Sequence, residues 1–141
     1  MLKVVLCFLI ALSGSLFNNT SYAQMPNLLI LNEFKRRFPD ITQIKWERES
    51  PTIWEGEFLL KGQQTEIYYN QEGVYLGTKQ KIHFNDLPQK VQAQTMNQEV
   101  REISIIFLAN QTTLYCLELN KKGQEEEIFF SPEGQIVTAP F

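Results

Sequence analysis

The sequence has 141 residues, 13 of them basic and 16 acidic, for a net charge of −3 at neutral pH. This mildly acidic balance argues against nucleic acid and anionic lipid as partners, because both favour a basic face.

The chain opens on a leader. Lys3 supplies a positive start, Val4 to Leu16 is an apolar run, and "NNTSYAQ" follows with Ser21 and Ala23 at small-residue positions. This is the pattern of a secretory signal peptide over residues 1–23, cut between Ala23 and Gln24. The run is too short to span a bilayer, and Cys7 lies inside it rather than at its end, which argues against a lipid anchor. The expected location is periplasmic or secreted, with no membrane insertion after cleavage. Residues 24–141 suit a single domain, and loss of Lys3 takes the net charge to −4. Only Cys116 remains in that stretch, so it holds no intrachain disulfide. In a strand pattern such a thiol reads as a small buried apolar residue.

The next element is "PNLLILNEFKRRFP". Pro26 stands at a helix start, Leu28, Leu31, Phe34 and Phe38 form an apolar stripe, and Pro39 ends it. Four strands are expected at 41–47, 52–61, 63–70 and 73–79. A second helix follows in "DLPQKVQAQTMNQEV", with Asp86 as N-cap, Gln89 at capping-box spacing, and a stripe of Leu87, Val91 and Thr95. Four more strands are expected at 101–108, 112–120, 124–131 and 134–138, joined by short connections that suit antiparallel hairpins.

The second set of elements copies the first. "KGQQTEIYYNQEG" from Lys61 and "KGQEEEIFFSPEG" from Lys122 are identical at seven of thirteen positions, where chance gives roughly one. The offset of 61 residues is about half the mature length. An internal repeat sets the architecture. The expected fold is α+β: two tandem units of a helix plus a four-stranded antiparallel sheet, about 26–80 and 85–141, packed as one domain. "SPEG" and "NQEG" suit type I turns, and both Lys-Gly pairs mark hairpins.

Alternation sorts the strand faces. Trp54, Phe58 and Leu60 share one face, with Glu55 and Glu57 on the other beside Ile53 and Leu59. Ile67 and Tyr69 oppose Glu66 and Tyr68; Tyr115, Leu117 and Leu119 oppose Cys116 and Glu118; Ile128 and Phe130 oppose Glu127 and Phe129. One face should meet the helices, leaving a mixed acidic and aromatic face open. Trp46 and Trp54 read as core. Tyr68 and Phe129, ringed by Glu57, Glu66, Glu118 and Glu127, have the composition of an interface core for a protein partner. The competing reading is that a loop, the segment after the leader or a twofold partner covers them.

Catalytic patterns are missing. His83 is the only histidine and stands in a polar connection; there is no cysteine pair, phosphate loop or nucleophile elbow. The sequence therefore reads as non-enzymatic, with no cofactor and no metal. The run Glu125–Glu127 reads as edge-protecting charge. A small-ligand or ion binder using a cleft between the units is the alternative to a protein-binding face.

These residues resemble a family. Phe38-Pro39 followed by Ile44 and Trp46, then Trp54 and Phe58, Tyr69 and Gly73, and Leu87-Pro88 are similar to the PepSY-like, beta-lactamase-inhibitor-like secreted proteins of Gram-negative envelopes. The second unit departs from the pattern, with Phe107 in the place of Trp46 and Tyr115 in that of Trp54. The resemblance implies the same tandem helix-and-sheet fold, a concave sheet surface that grips a partner, and no catalytic residue. It implies a binding module, with inhibition of an envelope peptidase or beta-lactamase as one form.

Overall fold

The computed structural model describes residues 25–95 and 98–141. The leader expected over 1–23 lies outside them. Eight strands form one antiparallel sheet: β1 (Lys45–Ser50), β2 (Ile53–Leu60), β3 (Gln63–Asn70), β4 (Tyr75–Lys81), β5 (Val100–Leu108), β6 (Thr113–Lys121), β7 (Gln124–Phe130) and β8 (Ile136–Val137). Their order across the sheet is their order in the chain. The fold departs here from two packed four-stranded units. β4 pairs directly with β5, from Gly77 opposite Leu108 to Lys81 opposite Ser104, so the halves share one ladder and no cleft parts them.

Helix α1 (Leu28–Arg37) is capped by Asn27, whose Oδ1 accepts from the Ile30 amide at 3.2 Å. It buries Ile30 and Phe34, not Leu28, which is 73% exposed. The expected stripe is thus out of phase at its start. Phe34 meets Trp46 and Phe58 edge-on at 5.5 and 5.3 Å. Trp54, Ile67 and Tyr69 complete this core. β1 begins at Lys45 rather than 41, because Ile41 and Ile44 serve as apolar filling in the connection beside this core.

The second helix is reduced to one turn, α2 (Gln89–Gln92), flanked by 3₁₀ turns at Phe84–Asp86 and Ala93–Thr95. Asp86 is not its N-cap. Its carboxylate accepts from the His83 amide at 3.0 Å and closes the preceding turn, leaving Pro88 at the helix start. Leu87, Val91 and Thr95 are buried as their spacing requires. Leu87 and Val91 cover Tyr115, Leu117, Leu119 and Phe130.

The duplicated turns share one geometry. Lys61-Gly62 and Lys122-Gly123 have φ of 52° and 82°, and 54° and 82°. Positive φ at both central residues defines the type I′ hairpin, whose twist matches the strands. In the β3–β4 and β7–β8 connections, Asn70 Oδ1 and Ser131 Oγ each accept from the amides two and four residues on. Gly73 and Gly134 then lie against Leu29 and Lys90.

Candidate functional site

Pairing registers place side chains of the helix-free face in rows across the strands. One row runs Glu47, Glu55, Tyr68, Gly77, Leu108. The next runs Lys45, Glu57, Glu66, Lys79, Ile106, Leu114. Farther along, Ser104, Cys116, Phe129 and Val137 align, then Glu102, Glu118 and Glu127. Like charges directly opposed across strands cost stability unless a cation joins them. Lys45 stands between Glu47 and Glu57, Lys81 meets Glu102, and Arg101 meets Glu118 and Glu125.

Lys79 is the central cation. Its Nζ lies 3.5 Å from Glu66 Oε2 and 3.1 Å from Glu127 Oε1, with only 13% of the side chain exposed. Glu127 is on β7, three strand spacings away, roughly 14 Å in a flat sheet. The two side chains therefore lie along the face, where the small, buried Ser104 and Cys116 sit between their strands. Burial pulls the Lys79 ammonium down, and Glu127 and Glu66 more than reverse that, holding it above its ordinary range. Cys116 Sγ is 3.7 Å from Glu127 Oε1. Burial first, and then this carboxylate, push the thiol well above its usual range, so it stays protonated and unreactive near neutrality.

Of the seven glutamates in these rows, Glu55 alone has no cation within 4 Å among the described residues. The single O–H of Tyr68 goes to Glu66 Oε2 at 2.6 Å. Burial, then the charges of Glu66 and Glu49, push the Glu55 carboxyl up to about 7. The folded state thus holds a proton that the unfolded chain has lost between pH 4.5 and about 7. Stability falls as pH rises through that window. Glu55→Gln should raise stability by about 1–2 kcal/mol at pH 8, after allowance for solvent screening, and leave it unchanged at pH 4. Thermal melts at both pH values check this; equal shifts at the two would refute it.

Tyr68 and Phe129 point to this face, but Tyr68 does not lie open. It is 5% exposed because the last residues of the sequence fold back over the sheet. The Phe141 ring stacks on Tyr68 with centroids 4.1 Å apart and an interplanar angle of 22°. Val137 and Phe141 also pack on Ile106, Leu114 and Cys116, with Leu108 and Phe129 alongside. Gly77 makes room for the ring: a Cβ there would stand 3.1 Å from Phe141 Cε1 and 3.2 Å from Leu108 Cδ2. Among the described residues, the cover over Tyr68 is thus the segment after β8. Phe141 was missed because nothing local ties it to Tyr68, 73 positions away.

This closure crosses most of the sheet. From β8 to β3 is five strand spacings, about 24 Å along the sheet. Four extended residues reach at most about 14 Å. The Phe141 ring over Gly77 and the Tyr68 ring stacked on it span the remainder. The other expected site residues, Glu57, Glu66, Glu118 and Glu127, all lie on this face. Glu66 and Glu127 converge on Lys79, while Glu57 and Glu118 sit 3.9 Å from Lys45 and Arg101. Glu125 and Glu127 belong to the part of β7 that β8 does not pair, so charge lines a free edge there.

Among the described residues no group of three His, Cys, Asp or Glu is placed to hold a metal ion, and no helix is long and apolar enough to cross a membrane. A surface depression lies elsewhere, at the β1–β2 end, lined by residues 40–45 with Glu57, Phe58, Leu59 and Gln64.

An open antiparallel sheet of eight strands with few helices is the BLIP-like fold, and the chain shares it with solved structures. A BLIP-like protein from Bacteroides fragilis NCTC 9343 superposes with a TM-score of 0.62 at 22% identity, covering 82% of this chain and 85% of that one. A DUF2874 family protein from Bacteroides ovatus ATCC 8483 gives 0.68 at 14%, covering 82% and 86%. A proposed periplasmic protein from Bacteroides eggerthii DSM 20697 gives 0.69 at 12%, covering 82% and 88%. These likenesses support the BLIP-like fold that the resemblance implied; the PepSY-like part finds no support in them. No family model matches the chain, and no curated protein matches it significantly.

Proposed function

We propose that this chain is a non-catalytic binding module of the periplasm or the secreted fraction, holding a protein partner against the helix-free face of its sheet. Its finer form is inhibition of an envelope enzyme of the peptidase or beta-lactamase class. One observation carries the reading: among the described residues the helices cover one face only, and the other combines buried aromatic surface with glutamates facing one another across strands. A face used only as scaffold has no need of Glu47 opposite Glu55 or Glu57 opposite Glu66. A partner that brings cations relieves such repulsion and gains orientation from it. The likeness to a BLIP-like protein and to a proposed periplasmic protein supports the same reading.

The test is co-purification from an envelope extract, with wild type and with Glu57→Ala/Glu118→Ala as baits. The wild type should retain a protein that the double variant loses, and purified candidate enzymes should slow as the wild type is added. A partner set identical for the two baits removes this face from the reading. A captured enzyme that turns over normally at saturating bait removes inhibition.

A further inference from the structure

The Phe141 contact has the geometry of a ligand in a pocket. The ring enters a slot with Tyr68 on one side, Gly77 beneath and Leu108 beside it. Thr138 and Ala139 are exposed, and among the described residues no hydrogen bond ties 138–141 to the sheet. The segment is held by apolar contact alone, and such a contact can be exchanged for an equivalent one. Its direction matters. It comes from β8, crosses β7 to β4 and delivers its ring at β3. The same row of side chains continues past Tyr68 to Glu55 and then Glu47. Glu55 is the one glutamate of these rows with no cation within 4 Å among the described residues.

We propose that Tyr68, Gly77 and Leu108 form a recognition slot in which Phe141 stands in for a partner's side chain. The partner presents an extended segment with an aromatic residue followed, within two positions, by lysine or arginine. Its aromatic ring takes the place of Phe141, and its cation sits against Glu55 and Glu47. The tail is then a self-occupant that any partner displaces, and removing its ring raises affinity. This inference rests on the protein-binding reading of the helix-free face and names the partner's chemistry. A bound segment gains ring stacking from Tyr68 and a charge-assisted contact from Glu55, the apolar anchor and polar rim that mark protein-recognition surfaces.

The test uses the full chain carrying Phe141→Ala and a fluorescein-labelled peptide. The peptide has the sequence of residues 134–141 followed by two lysines. The variant should bind it at least tenfold more tightly than wild type. Replacing the peptide's phenylalanine with alanine should abolish binding, and replacing its lysines with glutamates should weaken binding at least tenfold. Adding Glu55→Gln to the variant should remove the preference for lysine and keep the requirement for phenylalanine. A folded Phe141→Ala chain that binds the peptide no better than wild type overturns the proposal, and so does indifference to the peptide's phenylalanine. If Phe141→Ala does not fold, the wild-type chain is titrated with millimolar peptide and followed by nuclear magnetic resonance. Shifts must then centre on Tyr68, Gly77 and Leu108, and shifts elsewhere overturn the slot. Peptide binding without an envelope partner would leave the slot standing and remove the protein-binding reading. An envelope partner held equally by wild type and Phe141→Ala would do the reverse.

Discussion

Replacing Lys79 with methionine should cost the fold about 2–3 kcal/mol at pH 7, measured by chemical denaturation. Methionine keeps the length and the apolar stem, so the loss isolates the charge. Without the ammonium, Glu66 and Glu127 face each other over Ser104 and Cys116 with no cation between them. The expected cost sits below that of a fully buried pair because Glu127 retains 43% side-chain exposure and can turn to solvent. Lys79 is raised in the folded state, so its contribution is complete below the ordinary lysine range and is lost only as pH rises through the folded value. At pH 7 the whole effect is visible. Adding Glu66→Gln and Glu127→Gln to Lys79→Met should return most of the loss, since amides need no cation. A triple variant as unstable as the single one would show that packing of the lysine stem, rather than its charge, holds this face.

Gly73→Ala should cost about 3 kcal/mol, whereas Gly62→Ala should cost only about 1 kcal/mol. Both glycines hold φ near +80°, so both substitutions meet the same left-handed strain. Their surroundings differ. A Cβ on Gly62 meets nothing within 4 Å, while one on Gly73 would stand 2.8 Å from Leu29 Cβ and 3.0 Å from its backbone carbon. Helix α1 must then lift from the turn or the turn must open. Gly134 holds the matching place against the Lys90 backbone, at 2.8 Å from its carbonyl oxygen, and Gly134→Ala should resemble Gly73→Ala. A gap of about 2 kcal/mol corresponds to roughly 8 °C in melting temperature for a domain of this size. Equal melting points for Gly62→Ala and Gly73→Ala would mean that the helix does not rest on the turn.

The strand faces were legible because a period of two leaves no freedom. Once Trp54 and Phe58 point inward, Glu55 and Glu57 must point outward, and the paired registers place them so. The Lys-Gly hairpins were legible for a similar local reason. The phase of α1 was not, because residues 28–31 are all apolar and any of them can begin a stripe. Asn27 settles it: its side chain caps the Ile30 amide and fixes which residues turn inward. The second helix was over-extended because Asp86 fits a cap by spacing alone, while its carboxylate satisfies His83 instead. The open face was legible strand by strand. The slot was not, because Phe141 reaches Tyr68 by a contact that no periodicity encodes.

The order of the strands also bears on how the molecule assembles. Because each strand neighbours the one before it in the chain, no pairing waits for a distant segment, and the sheet can grow by successive zippering from β1. The exception is the stacking of Phe141 on Tyr68, which closes a loop of more than seventy residues. That contact comes last in any sequential assembly. A chain delivered amino end first would therefore complete its sheet while the slot still stood empty, with the tail competing for it only once the sheet was built.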